Sequence, residues 1–104
     1  QGMDSVTLPV WIAHGEGQFI INSDVDSPIQ YIDNMGSATE KYPYNPNGSK
    51  NGIAGVCSID GRHLAMMPHP ERSFLTWQIP YDNNNDNSYS YWLQMFINAY
   101  EWCE

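Results

Sequence analysis

Positive charge is what this sequence has least of. Four Lys and Arg stand against twelve Asp and Glu, a formal net charge of −8 over 104 residues. Such a chain is a poor match for the phosphate backbone of nucleic acids or for an anionic bilayer, so neither is expected as a partner. Long apolar runs are missing too, and none approaches the roughly 20 residues that a membrane-spanning helix needs. The start, "QGMDSVTLPV", has no charged-then-apolar leader and reads like the interior of a longer protein. Cysteine is scarce. Cys57 and Cys103 are too few for a disulfide framework and lack metal-binding spacing, which points to reduced thiols in a cytosolic, cytoplasmic protein.

What the chain does have is a hydrophobic content of 41% and an aromatic content of 13%, enough for one small globular unit. Residues 6 to 13, "VTLPVWIA", read as a strand, and "HGEG" turns the chain into a short return strand, "QFII", at 18 to 21. "IQYIDN" at 29 to 34 alternates apolar and polar, as a half-buried strand does. Residues 36 to 52 are rich in Pro, Asn, Gly, Ser and Tyr and form an ordered surface loop. The triplet "NGS" at 47 to 49 matches a glycosylation acceptor, but turn chemistry accounts for it.

"GIAGVCSIDGRHLAMMP" predicts a hairpin. Asp60-Gly61 suits a two-residue turn with positive φ at both positions, setting Ser58 opposite His63, Cys57 opposite Leu64 and Val56 opposite Ala65. Both faces are largely apolar and call for cover. "YDNNNDNSYS" at 81 to 90 is a polar, Asn-rich insertion, and Ser90 then caps a last helix, "YWLQMFINAYEWCE". Gln94, Asn98 and Glu101 make one narrow polar stripe on it, so the rest of its surface needs apolar neighbours.

The chemistry concentrates in "MPHPERSF". Pro68 and Pro70 fix their own φ and drive Met67 and His69 out of the helical region, which predicts an extended stretch. In β form, His69 and Glu71 share a side, and the carboxylate can hold the imidazole Nδ1–H. Nε2 is then oriented and made more basic, ready to take a proton from a nucleophile. A polyproline-like backbone would separate the pair. The triplet alone also fits a plain structural role, with His69 ending a strand and Glu71 pairing with Arg72. No nucleophile is in view: Cys57 sits opposite Leu64, five residues before His69 and about 16 Å along a straight strand. Cys103 falls at the end of the last helix.

Three stretches in order, "LPVWIAHGEGQF", "YPYNPNGSKNGIAGVCSIDGRHLAMMPHPERSF" and "YWLQMFINAYEW", resemble the C-terminal end of large-type phosphoribosylformylglycinamidine synthases. That end is a class I, triad-type glutamine amidotransferase region. The resemblance covers nearly all of the chain. It implies an α/β, flavodoxin-like fold of which residues 1–104 are the C-terminal portion, mostly strands and hairpins with a final helix. His69 and Glu71 take the triad His and Glu positions, and the triad Cys lies on an upstream elbow outside these residues. The implied activity is glutamine hydrolysis that supplies ammonia for ATP-dependent conversion of formylglycinamide ribonucleotide to formylglycinamidine ribonucleotide in purine biosynthesis. ATP and Mg would belong to a separate synthetase domain, and no cofactor is expected here. Glutamine and the remainder of the same enzyme are the implied partners. The isolated chain is expected to be inactive and prone to self-association.

His14, Gly15 and Glu16 match the family's "HGEG" and are candidates for contacting substrate glutamine; a tight turn between strands explains them equally well. Gln18 stands where a basic residue is usual, and the Asn-rich insertion at 82 to 88 is unlike the family. A competing reading from another class is a metal-binding or non-catalytic interaction module using His14, Glu16, His69 and Glu71, with His63 as a further ligand type.

Overall fold

A computed structural model describes residues 1–13, 15–79 and 88–104. They divide into two compact units, one of residues 12–68 and one joining residues 1–11 to residues 69–104.

The first unit is built on a three-stranded antiparallel sheet in the order β1 (Ile29–Gln30), β2 (Ile53–Cys57), β3 (Leu64–Met66). Its hairpin has the register expected, with Val56 opposite Ala65 and Cys57 opposite Leu64. The turn differs from the expected one. Only Gly61 takes positive φ (70°); Asp60 does not. The Gly61 amide donates to the Ser58 carbonyl at 2.8 Å and the Asp60 carboxylate accepts from the Arg62 amide, so a side chain satisfies what a second left-handed residue would have arranged. The expected pairing of Ser58 with His63 is made through backbone and through the Ser58 hydroxyl, which accepts the His63 N–H at 3.0 Å.

The predicted strand at 29 to 34 is cut to two residues plus a bridge between Ile32 and Ala38. "QFII" forms no strand at all. Cover along the hairpin is uneven, greater on β2 than on β3 and the turn. Ile53 and Ala54 are buried, whereas Leu64 is half exposed and Ile59 fully so.

The loop of residues 36–52 is ordered, as its composition suggested, and the reason is one amide. Asn45 is buried, and its Nδ2 donates to the carbonyls of Thr39 and Ser49, each at 2.9 Å. Ser49 is wholly buried and its hydroxyl donates to Asn47 at 2.8 Å, so the triplet serves the loop's own turn, as its composition suggested.

In the second unit, residues 6–11 form no strand, correcting that expectation. Among the described residues no strand pairs with them, and Pro9 lacks the N–H a ladder requires. Their carbonyls serve other groups instead: Pro9 accepts the Trp92 indole N–H at 2.8 Å, and Trp11 accepts the His69 amide at 3.1 Å. The last helix is present as α1, Leu93–Cys103, shorter at its start than expected because Tyr91 and Trp92 lie in a tighter turn. Ser90 is not its cap, correcting that expectation: the N-cap position is Trp92 and takes no side-chain bond, and the Ser90 hydroxyl accepts the Trp92 amide at 3.2 Å in the turn before the helix.

Of the polar stripe of α1, Gln94 and Asn98 are partly covered and Glu101 is exposed. Gln94 donates to Asn98 at 2.9 Å, and Asn98 donates to the Gln1 carbonyl at 2.9 Å, while Tyr100 and Trp102 are mostly exposed. No residue of the helix is buried. Among the described residues no helix is long and apolar enough to cross a membrane. The Asn-rich insertion lies largely outside the described residues.

Candidate active site

His69 and Glu71 meet, though by a different backbone route from the one the sequence suggested. His69 is non-helical (φ −114°, ψ 79°), as a residue before proline should be. Pro70 does not extend the chain; it opens a 3₁₀ turn, Pro70–Arg72, a position where its missing N–H costs nothing. The turn is closed by the Arg72 amide on the His69 carbonyl (3.0 Å) and the Ser73 amide on the Pro70 carbonyl (2.9 Å). It folds Glu71 back, and Oε1 lies 2.6 Å from His69 Nδ1. The β form is therefore absent, and the contact it was meant to explain is made by a turn.

This is the only ion pair among the described residues, and Glu71 does not pair with Arg72. The His69 hydrogen bond holds the Glu71 carboxyl below the usual glutamate range. With Nδ1 engaged, Nε2 makes no hydrogen bond to any described residue, and the ring is one-third exposed. Pro68 and Pro70 are buried on either side. The arrangement is a fixed imidazole with one nitrogen oriented and the other open to an incoming group, which is what general acid–base chemistry at a thiol or hydroxyl requires.

The other candidates are less organised. His14 lies outside the described residues. Gly15 has open space around it, and Glu16 is exposed. Cys57 is unsuited to nucleophilic work: partial burial and the Asp26 carboxylate, 3.7 Å from its sulfur, push its thiol up and keep it protonated. Cys103 is free and exposed at the end of α1. No cluster of three or more His, Cys, Asp or Glu among the described residues is arranged to hold a metal, and His63 is turned to Ser58. An open groove of about 630 Å³ in the unit of residues 12–68, lined by Phe19, Ile21, Asp24, Lys50 and Asn51 among others, contains neither His nor Cys.

Two supports of the site were invisible in the sequence. The Trp11 carbonyl fixes the His69 amide, and a backbone acceptor leaves no mark on residue identity. Ser90 also reaches the far end of the turn, where its hydroxyl donates to the Ser73 carbonyl; its place before α1 suggested only a cap.

Similarity to known proteins extends over the whole chain. A probable phosphoribosylformylglycinamidine synthase, chloroplastic/mitochondrial, of Arabidopsis thaliana is 50% identical over 118 aligned residues, which take in 100% of this chain and 8% of that protein. The phosphoribosylformylglycinamidine synthases of Dictyostelium discoideum and Homo sapiens are 46% and 47% identical, over 100% and 98% of this chain and 9% and 8% of their own lengths. The chain thus spans less than a tenth of each of these relatives. Residues 1–103 match the CobB/CobQ-like glutamine amidotransferase domain, and the chain belongs to that family.

Proposed function

We propose that this chain carries the histidine and glutamate of a thiol-dependent glutaminase within a phosphoribosylformylglycinamidine synthase. The observation that carries the reading is the 2.6 Å contact between His69 Nδ1 and Glu71 Oε1, with Nε2 left without a partner among the described residues. In this reading a cysteine thiol gives its proton to Nε2 and attacks the carboxamide carbon of glutamine. The imidazolium returns the proton to the departing nitrogen, releasing ammonia and leaving a glutamyl thioester. Water, deprotonated by the same imidazole, then cleaves the thioester to glutamate. Glu71 stabilises the imidazolium in both steps and takes no proton itself.

The thiol belongs to a segment outside these 104 residues, since the Cys57 thiol is engaged by the Asp26 carboxylate at 3.7 Å and Cys103 ends α1. Residues 1–104 then form the C-terminal portion of a flavodoxin-like class I amidotransferase domain. The remainder of the same enzyme is the partner that covers the apolar surface of α1, and the isolated chain self-associates. His14, Gly15 and Glu16 contact the substrate glutamine. The place of action is the cytoplasm, although the Arabidopsis relative is named chloroplastic/mitochondrial.

The test is His69→Ala in the full-length enzyme. Glutamine-dependent synthesis should disappear while synthesis from added ammonia continues. Loss of both would make His69 a structural residue and end this reading.

A further inference from the structure

A 3₁₀ turn of three residues is a weak element, with poor hydrogen-bond geometry and little cooperativity. Yet this one must hold His69 and Glu71 to within a few tenths of an ångström. Its entrance is fixed by the Trp11 carbonyl on the His69 amide (3.1 Å). Its exit depends on Ser90. The Ser90 amide donates to the Phe74 carbonyl at 2.6 Å, and its hydroxyl donates to the Ser73 carbonyl. The same hydroxyl oxygen accepts the Trp92 amide at 3.2 Å. Trp92 in turn donates its indole N–H to the Pro9 carbonyl, two residues from Trp11. The contacts form a closed circuit: from residues 9–11 to His69, through the turn to Ser73, across the Ser90 hydroxyl to the start of α1, and back to residues 9–11. Ser73 and Ser90 are both buried, so no water replaces the Ser90 donor once it is lost.

We propose that Ser90 is a positioning residue for the His69–Glu71 pair, its hydroxyl clamping the exit of the turn through the Ser73 carbonyl. This rests on the glutaminase reading. The bond from the Trp92 amide alone would need only an acceptor at Ser90, whereas the clamp needs a donor as well, and the two roles separate by substitution. Ser90→Thr keeps both, Ser90→Asp keeps the acceptor alone, and Ser90→Ala keeps neither.

In the full-length enzyme, glutamine-dependent kcat should fall roughly 10- to 100-fold in Ser90→Ala and Ser90→Asp, the effect expected of a displacement of about 1 Å in a catalytic group. The KM for glutamine and the ammonia-dependent rate should stay near wild type, and Ser90→Thr should recover most of kcat. Wild-type kcat in Ser90→Asp would reduce Ser90 to an acceptor for the Trp92 amide and overturn the proposal. Should Ser90→Ala lose the ammonia-dependent rate through misfolding, the contrast between Thr and Asp decides the matter alone. His69→Ala is run beside them: if it abolishes glutamine use while Ser90→Ala and Ser90→Asp keep wild-type kcat, the clamp fails and the glutaminase reading stands. If His69→Ala retains glutamine use, the reading itself fails and the clamp with it.

Discussion

Gly52→Ala probes a close backbone junction in the unit of residues 12–68. Gly52 has φ of 71°, and a Cβ placed there would lie 2.9 Å from the Tyr31 carbonyl oxygen, 3.0 Å from the Thr39 nitrogen and 3.2 Å from the Thr39 oxygen. These atoms cannot simply retreat. The Tyr31 amide donates to the Gly52 carbonyl at 2.7 Å, and the Thr39 amide donates to the Tyr31 carbonyl at 3.1 Å. Two costs therefore add. The left-handed backbone conformation costs an L-residue roughly 1–2 kcal/mol. Overpacking against fixed backbone adds about 1–3 kcal/mol. Gly61→Ala is the matched control, because its φ is 70° but a Cβ there meets nothing within 4 Å. It should show the first cost alone. In thermal unfolding of the purified chain, Gly52→Ala should melt lower than Gly61→Ala by on the order of 10 °C, taking about 4–8 °C per kcal/mol for a domain near this size. Hydrogen exchange at the Thr39 amide should also quicken in Gly52→Ala and not in Gly61→Ala. Equal melting temperatures for the two variants would refute the steric reasoning and leave only the conformational cost.

Three further outcomes can be checked directly. Glu71, with its carboxyl lowered by the His69 hydrogen bond, should titrate below the 4.5 of a free glutamate, and carboxyl-carbon NMR should see the midpoint climb toward that value in His69→Ala. Because the folded value is the lower one, the contact's contribution to stability is present above about pH 4.5 and is lost as the pH falls through the folded midpoint. Cys57, whose thiol is raised by burial and by Asp26, should alkylate with iodoacetamide more slowly at pH 7 than the exposed Cys103, and Asp26→Asn should narrow the gap. Cys57→Ser should leave glutamine-dependent synthesis in the full-length enzyme unchanged; a large loss would return Cys57 to the list of nucleophiles.

The legible parts of this sequence are those where the deciding interactions are local. The hairpin register followed from Asp60-Gly61 and the alternation around it, even though the Asp60 side chain and not a second left-handed residue completed the turn. The last helix was readable from the run that follows Ser90, although its N-cap position falls at Trp92, two residues further on. His69 left the helical region because a proline follows it, a steric effect between neighbours. The pairing of His69 with Glu71 was also anticipated, but for the wrong backbone.

What pairs with a segment is a different kind of fact. "VTLPVWIA" has the composition of a strand, and composition cannot supply the neighbouring strand whose N–H and C=O groups would make it one. The amphipathic reading of α1 found the polar stripe at Gln94 and Asn98, yet that stripe faces the chain's own Gln1 carbonyl while Tyr100 and Trp102 look outward. Periodicity identifies a face and is silent on what lies against it. The sequence alone determined the chemistry available: one imidazole, one carboxylate two positions away, and prolines to stiffen them. Tertiary structure decided the geometry, because the bonds that set it run from Trp11 to His69 and from Ser90 to Ser73, between residues far apart along the chain and partly through backbone atoms that every residue shares.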